Sequence, residues 1–263
     1  MFREFKYLIA DYKAVVTKSR VWAYWAWLDV LQRYRGSIFG PFWITISMGI
    51  FIVVLSVIYA KLFKQPLHEY IPFLTSGFIV WYFVSFTLTD APHVFIQARD
   101  YILQNNLPYS LYVARLIWRN CITLGHNAII YLIVMLVFHM APGWSILFVI
   151  PGLLLIIINL FWVTYIIALA GARFRDVPPL VASLVQVVFF VSPITWMPKL
   201  LGSDSLIVKL NPVVYFLDLV RSPLLGHAPA LSSWVFASVT TLFGFIVCSL
   251  LLLWKRRYLA FWV

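Results

Sequence analysis

Six long apolar stretches fill most of this chain and set what it can fold into. A helix needs about 20 apolar residues to cross the hydrocarbon core of a bilayer, and a chain inside that core must satisfy its own backbone hydrogen bonds. The stretches do not alternate apolar and polar residues as barrel strands would. The sequence therefore predicts an all-α integral membrane protein with six transmembrane helices, at residues 37–60, 71–89, 111–139, 146–172, 177–197 and 231–254.

The basic residues gather at one end of these spans. With the N-terminus placed inside, the inner segments hold fifteen Lys and Arg residues, and the outer segments hold five, Lys61, Lys64, Lys199, Lys209 and Arg221. This bias agrees with the positive-inside rule, so both termini are predicted in the cytoplasm. The formal net charge of +11 then reflects topology and contact with anionic lipid, and no nucleic-acid partner is expected.

The segments between the spans are too short for a separate soluble catalytic module. The sequence has no Gly-x-x-x-x-Gly-Lys-Ser/Thr motif to cradle ATP phosphates, and its five histidines lack metal-ligand spacing. We therefore expect no catalytic residue, no metal site and no cofactor on this chain. Cys121 and Cys248 both fall in predicted spans, where packing is a better interpretation than a disulfide.

Residues 1–36 precede the first predicted span and mix aromatic with charged side chains, among them Trp22, Trp25 and Trp27. Charges stand where a cleaved signal would have its apolar core, so we expect the first span to direct insertion. Amphipathic helices of this composition lie in the membrane interface. The segment is predicted to be either a simple anchor or a collar around the cytoplasmic mouth of a pathway.

The inner loop 90–110 contains a short amphipathic helical pattern at 97–107, which Asn105, Asn106 and Pro108 should end. Such a helix facing the cytoplasm is either a connector or a docking element for a soluble partner. The residues predicted to make the docking contacts are Arg99, Asp100, Tyr101 and Asn105.

The outer segment 198–230 contains short apolar pieces interrupted by Pro and Gly. Apolar segments too short to cross the bilayer are predicted to be re-entrant half-helices, which would form either a gate or a lid that packs on the bundle. Asn211, Pro212 and Arg221 are the predicted gate residues. Asp218 lies three residues before Arg221, so the two could pair on one helix face.

A candidate channel site lies at mid-membrane depth. Phe78, Tyr82 and Phe86 recur every fourth residue and so share one helix face. A Tyr hydroxyl at that depth needs a polar partner or water, so this face either lines a translocation channel or packs in the core. Asn159 and Gln186 also lie mid-span, where an amide more often bridges helices than lines a pore.

Several motifs resemble those of ABC-2 type export permeases. At the entry to the first span that family has an Asp, then Arg-Tyr-Arg, a Ser, a Gly and a Trp, which here are Asp29, Arg33, Tyr34, Arg35, Ser37, Gly40 and Trp43. Phe39 stands where Leu is usual. Further pieces follow in the family's order: Arg173 to Asp176, Ser192-Pro193-Ile194, and Asn211-Pro212 with Arg221 and Gly226. The branch that this chain resembles exports lipid-linked polysaccharide: O-antigen, group 2 capsule or teichoic acid.

The resemblance implies a transport permease rather than an enzyme. It implies a homodimer in the bacterial inner membrane, paired with two separate ATP-binding subunits that carry ATP and Mg. The cargo would be a glycan attached to undecaprenyl pyrophosphate or another lipid, and O-antigen is the favoured glycan. Arg33, Tyr34 and Arg35 would then flank the cytoplasmic mouth. There the planar guanidinium of an arginine could bind a pyrophosphate headgroup, or the positive charges could serve only to orient this end of the span toward the cytoplasm. The alternatives are an exporter of drugs or small lipids, and a membrane enzyme acting on a lipid-linked sugar.

Overall fold

A computed structural model of the chain describes residues 2–40, 42–105, 107–200 and 205–263. Within these residues all regular structure is helical. Five helical stretches are long and apolar enough to cross a membrane: Phe42–Leu62, Leu67–Gln97, Ser110–Val137, Gly143–Arg173 and Leu231–Trp262. The predicted class, an all-α integral membrane protein, is confirmed. Asn106 and residues 201–204, which belong to the predicted inner and outer segments, lie outside the described part.

The helices follow one another with short connections. They are α1 (Phe2–Thr17), α2 (Ser19–Arg33), α3 (Phe42–Leu62), α4 (Leu67–Asp90), α5 (Val94–Gln97), α6 (Arg99–Gln104), α7 (Ser110–Val137), α8 (Val149–Arg173), α9 (Val177–Val191), α10 (Leu206–Lys209), α11 (Pro212–Leu224), α12 (Leu231–Lys255) and α13 (Leu259–Trp262). Single 3-10 turns at Ala91–His93, Gly143–Phe148, Pro198–Leu200 and Arg256–Tyr258 join some of them.

The fifth predicted span is shorter than expected. The sequence predicts a helix at 177–197, but α9 ends at Val191 and has 15 residues. At about 1.5 Å per residue it is roughly 22 Å long, against a hydrocarbon core of roughly 30 Å. Ser192 is extended (φ −89°, ψ 146°), because the residue before a proline is pushed out of the helical region. The chain therefore leaves the helix at Ser192-Pro193 and not at the membrane surface.

The N-terminal segment is a pair of helices rather than one. Lys18, with non-helical backbone angles, separates α1 from α2. Helix α1 packs on α7 and α12, and α2 packs along α7. Both therefore lie at the end of the bundle where α7 begins and where α4, α8 and α12 end, which is the predicted inner end.

Helix α4 is the central helix of the bundle. In its most apolar stretch 61% of the residues are buried, against 22–28% in the other four candidate spans. It contacts α3, α7, α8, α9 and α11. The sides of the other spans that face away from the bundle are apolar and exposed, as expected for helices that contact lipid.

Amide and hydroxyl side chains join neighbouring spans. Thr45 donates to Asn127 between α3 and α7 (3.2 Å), and Asn120 donates to Thr87 between α7 and α4 (3.1 Å). Asn159 bridges α8 and α12 by donating to Thr241 Oγ1 (2.7 Å), as expected for a buried amide. Small residues also bring helices together, since a Cβ on Gly244 of α12 would lie only 2.0 Å from the Trp162 ring of α8.

Replacing Asn159 with Leu should weaken the α8–α12 contact. The variant removes the bonds to Thr241 and the Ala237 carbonyl, and hydrogen bonds between membrane helices are worth about 0.6 kcal/mol on average and up to about 1.7. Unfolding of the purified chain in mixed detergent micelles measures the loss. Gln186→Leu is the control, because Gln186 is an exposed amide on α9. Equal unfolding midpoints for Asn159→Leu and the wild type would contradict the bridging role.

Candidate functional site

An ion pair fixes the interface helix α2 to the spanning helix α7 at the predicted inner end. Arg115 donates from Nε to Asp29 Oδ2 (2.7 Å) and from Nη2 to Asp29 Oδ1 (2.5 Å). Both side chains are partly buried. Two parallel bonds between a planar guanidinium and a carboxylate fix orientation as well as distance. Helix α2 is therefore held in one register along α7.

A second ion pair joins α7 to the end of α4. Arg119 Nη2 donates to Asp90 Oδ2 at 2.6 Å. The pairs border a cleft of about 100 Å³, which is also lined by Gln97, Tyr101 and Tyr112. Two buried polar atoms here, Arg119 Nε and Tyr112 Oη, have no hydrogen-bond partner in the described part of the chain. The cleft thus joins the interface helix, two spans and the predicted docking helix.

The end of the inner loop is also tied to the N-terminal helices. Ser110 Oγ donates to the Asp11 carbonyl (2.6 Å), and Tyr165 Oη donates to the Asp11 carboxylate (3.1 Å). Burial raises the pKa of the Asp11 carboxyl, and the hydrogen bonds from Tyr165 and Ser110 oppose the rise. Asp90 anchors the start of the loop and Ser110 its end, so both ends are fixed to the bundle.

The predicted docking residues lie on the surface of this anchored loop. Helix α6 is held by Ile102, which is buried, while Arg99, Asp100, Tyr101 and Asn105 are exposed. Asn105 is extended (φ −129°, ψ 133°) and ends α6. The Tyr101 ring is 51% exposed and contacts the Trp25 ring of α2 at 5.8 Å. Their docking role stays a prediction.

The structure brings one predicted mouth residue beside two predicted channel residues. Arg33, the last residue of α2, lines a narrow crevice with Tyr82, Phe86 and Asn120. Tyr34 is half-buried and Arg35 is exposed. The crevice therefore connects the predicted mouth at Arg33 with Tyr82 and Phe86 on α4, and Phe78 is not among its lining residues.

The three predicted channel residues have different surroundings. Phe78 is buried, with ring centroids 5.4 Å from Phe51 and 5.8 Å from Phe189. Tyr82 and Phe86 stack on each other at 4.2 Å. An open groove of about 430 Å³ lies between α4 and α9, and it is lined by residues that include Trp81, Ser85, Phe86, Gln186, Phe189 and Phe190. Only Phe86 of the three lines this groove.

The outer segment is organised around α11. Asn211 caps it by accepting from Val213 N (2.9 Å), and Pro212 follows at the first helical position. Asn211 also donates to Ser192 Oγ (3.0 Å), which ties the start of α11 to the end of α9. With 13 residues, roughly 20 Å, α11 is too short to span.

The expected pairing of Asp218 with Arg221 is wrong. Asp218 instead accepts from Ser222 Oγ (2.5 Å), Ala230 N (2.9 Å) and Ser233 Oγ (2.6 Å). Arg221 turns away from it and donates to the Pro193 carbonyl (2.7 Å). Burial lowers the pKa of Arg221 to about 9, so the side chain still carries its charge at neutral pH.

Some residues of these sites were not predicted from the sequence. Asp29 enters the sequence-based prediction only as part of a motif, and Arg115, Arg119, Asp90 and Asp11 have no predicted role there. With nine acidic residues in the chain, an acid at the inner end of a span is itself a signal, because it needs a basic partner there. Both cysteines are free, as expected.

Comparisons with known proteins bear on the family. No family model matches this chain. The O-antigen export system permease protein RfbA of Myxococcus xanthus is 24% identical over 193 residues, which cover 71% of this chain and 73% of that protein. The RfbA permease of Klebsiella pneumoniae is 22% identical over 187 residues, or 70% and 72% of the two chains. The predicted resemblance to O-antigen export permeases is confirmed. With its five long apolar helices, the chain is a multi-pass membrane protein similar to these permeases.

Replacing Asp29 with Asn should destabilise the inner end. Arg115 would keep its charge and lose its bidentate partner in a partly buried place. We expect a loss of about 1 to 3 kcal/mol, between the values for exposed and fully buried pairs. Thermal unfolding of the purified chain in detergent measures it, with Asp100→Asn on the exposed face of α6 as the control. The exchanged pair Asp29→Arg with Arg115→Asp should recover part of the loss, and an unchanged melting temperature in Asp29→Asn would disprove the clamp.

Proposed function

We propose that this chain is the membrane permease subunit of an ATP-binding cassette exporter. Its cargo is a lipid-linked polysaccharide, of which O-antigen is the favoured candidate. The cargo moves from the cytoplasm outward across the bacterial inner membrane. The similarity to two permeases named for O-antigen export supports this cargo class. The structural observation that carries the proposal is the groove between α4 and α9.

The groove suits a polymer that slides. Phe86, Phe189 and Phe190 offer aromatic rings, while Ser85 and Gln186 offer a hydroxyl and an amide. Stacking on aromatic rings tolerates many successive units, as it does for bases of single strands on aromatic platforms. The polar groups give sugar hydroxyls hydrogen-bond partners in a region where lipid gives none. An exporter of drugs or small lipids, the first alternative, needs no such run of rings.

The second alternative, an enzyme acting on a lipid-linked sugar, needs carboxylates or histidines free to transfer protons at one membrane face. The two carboxylates in the inner cleft, Asp29 and Asp90, are each paired with an arginine. Engaged in this way, they suit fixing helices better than acid–base chemistry. We therefore assign transport to the chain.

The energy source is assigned to a partner. Two ATP-binding subunits, which hold ATP and Mg, would dock on a homodimer of this chain through Arg99, Asp100, Tyr101 and Asn105. The exposure of these side chains on a loop anchored at both ends supports such a docking site. Both termini would face the cytoplasm, and Arg33, Tyr34 and Arg35 would meet the lipid pyrophosphate there.

Breaking α6 should uncouple ATP hydrolysis from export. Leu103 lies inside α6 and is 55% exposed, so Leu103→Pro removes helix structure with little loss of buried surface. We expect the assembled transporter to insert normally and to lose both export and permease-stimulated ATP turnover. Leu103→Ala, which keeps the helix, is the control. Wild-type ATP turnover and export in Leu103→Pro would remove α6 from the coupling path.

Thiol labelling tests the groove directly. In a background with Cys121→Ser and Cys248→Ala, Gln186→Cys and Phe86→Cys should react with a small polar thiol reagent during turnover, because both positions line the groove. Trapped polysaccharide should protect them. Phe78→Cys is the control, since Phe78 is buried among aromatic rings. Thiols at 86 and 186 that stay unreactive in the resting, ATP-bound and cycling states would exclude the groove as the route.

A further inference from the structure

Arg221 is a buried cation with few hydrogen bonds. Its side chain lies on α11, and the residue is 7% exposed. Nη1 donates to the Pro193 carbonyl (2.7 Å), and the guanidinium carbon lies 4.1 Å from the centre of the Phe73 ring. Nε and Nη2 are shielded from solvent and have no hydrogen-bond partner among the described residues. Two of the three guanidinium nitrogens are therefore left without an acceptor.

The nearby carboxylate of Asp218 acts on this charge only at a distance, because its hydrogen bonds are made to other groups. Asp218 accepts hydrogen bonds from Ser222, Ala230 and Ser233, which fix the turn between α11 and α12. A buried charge without a directly bonded counter-ion is costly, and an apolar residue of similar volume in its place often makes a protein more stable. Packing alone therefore gives no reason for an arginine at this position.

Helix α4 has a notch that fits the guanidinium. A Cβ on Gly77 would lie 1.8 Å from Arg221 Nη2 and 2.8 Å from its Cζ, so only glycine leaves room here. Glycine inside a helix is itself unfavourable compared with alanine. Arg221 thus touches three parts of the fold at once: Gly77 and Phe73 on α4, and the Pro193 carbonyl just after α9. Any movement of α11 away from the bundle must break all three contacts.

We propose that Arg221 is a weak latch of the outer end: seated in the Gly77 notch it joins α11 to α4 and to the end of α9 less firmly than an apolar side chain would, and it leaves the notch when the outer end opens. The three N–H groups on Nε and Nη2 that have no acceptor make the closed arrangement less stable than a fully bonded one, which keeps the free-energy gap between closed and open small. In the open arrangement water or sugar oxygens can accept from them. The latch rests on the proposed function in one respect only, that cargo leaves at this end.

Stability is the first test, because a latch and an ordinary structural residue predict opposite signs. Arg221→Met keeps an unbranched stem and removes the unpaired charge. We expect the isolated chain in detergent to melt at a higher temperature than the wild type, and the assembled transporter to lose export. A lower melting temperature would mean that Arg221 contributes net stability as a structural residue, and it would overturn the latch.

Opening is the second test. Ile194→Cys, in the background without Cys121 and Cys248, places a thiol at a fully buried position next to Pro193. Its reaction with a small polar thiol reagent reports exposure of the outer end. Gly77→Ala, which displaces the guanidinium, should speed labelling severalfold, and Arg221→Met should slow it. Gly49→Ala on α3 is the control, since a Cβ there meets nothing within 4 Å. Equal labelling rates in Gly77→Ala and Gly49→Ala would overturn the latch.

Both measurements use the isolated chain, without cargo or ATP, so they separate the latch from the proposed function. A chain with the expected melting and labelling shifts that fails to export polysaccharide when assembled with its ATP-binding partner would overturn the proposed function alone. If Gly77→Ala does not fold, the Arg221→Met melting and labelling data decide the latch by themselves.

Discussion

Within a bilayer each polar group needs a partner from the protein, and this constraint shapes every contact that joins the helices. Amide–hydroxyl pairs join α3 to α7, α7 to α4 and α8 to α12. In the part of the chain that the structure describes, the two arginine ion pairs lie at the ends of the spans, where Arg115 and Arg119 meet Asp29 and Asp90. Because α4 touches most other spans, a change at either of its ends reaches the whole bundle. The inner cleft and the outer segment are thus two ends of one central helix.

The sequence predicted the class and most of the spans, because the length of an apolar run and the placement of charge follow directly from the bilayer. The predicted length of the fifth span, 177–197, was too great, since hydropathy does not register the break at Ser192-Pro193. The proline was visible, and its effect on the preceding residue would have ended the helix there. The fifteen-residue α9 leaves room for α11 to reach the Pro193 carbonyl.

The sites were less predictable, because spacing along a chain cannot say which partner a side chain finds across the fold. Asp218 and Arg221 have the right separation to pair on a helix, yet the turn to α12 offers Asp218 three donors and the notch at Gly77 takes Arg221. Asp29 pairs with a residue 86 positions away. Tyr82, predicted with Phe78 and Phe86 as one face, shares a crevice with Arg33, because α2 reaches the inner part of α4.

The two ends of the bundle differ in how completely their charges are satisfied. At the inner end Arg115 has a bidentate partner and Arg119 a carboxylate, and both lie beside a loop anchored at Asp90 and Ser110. At the outer end Arg221 has one carbonyl and one aromatic ring. The bidentate pair of Arg115 fixes the orientation of two helices, whereas Arg221, with two guanidinium nitrogens unpaired among the described residues, is held less firmly.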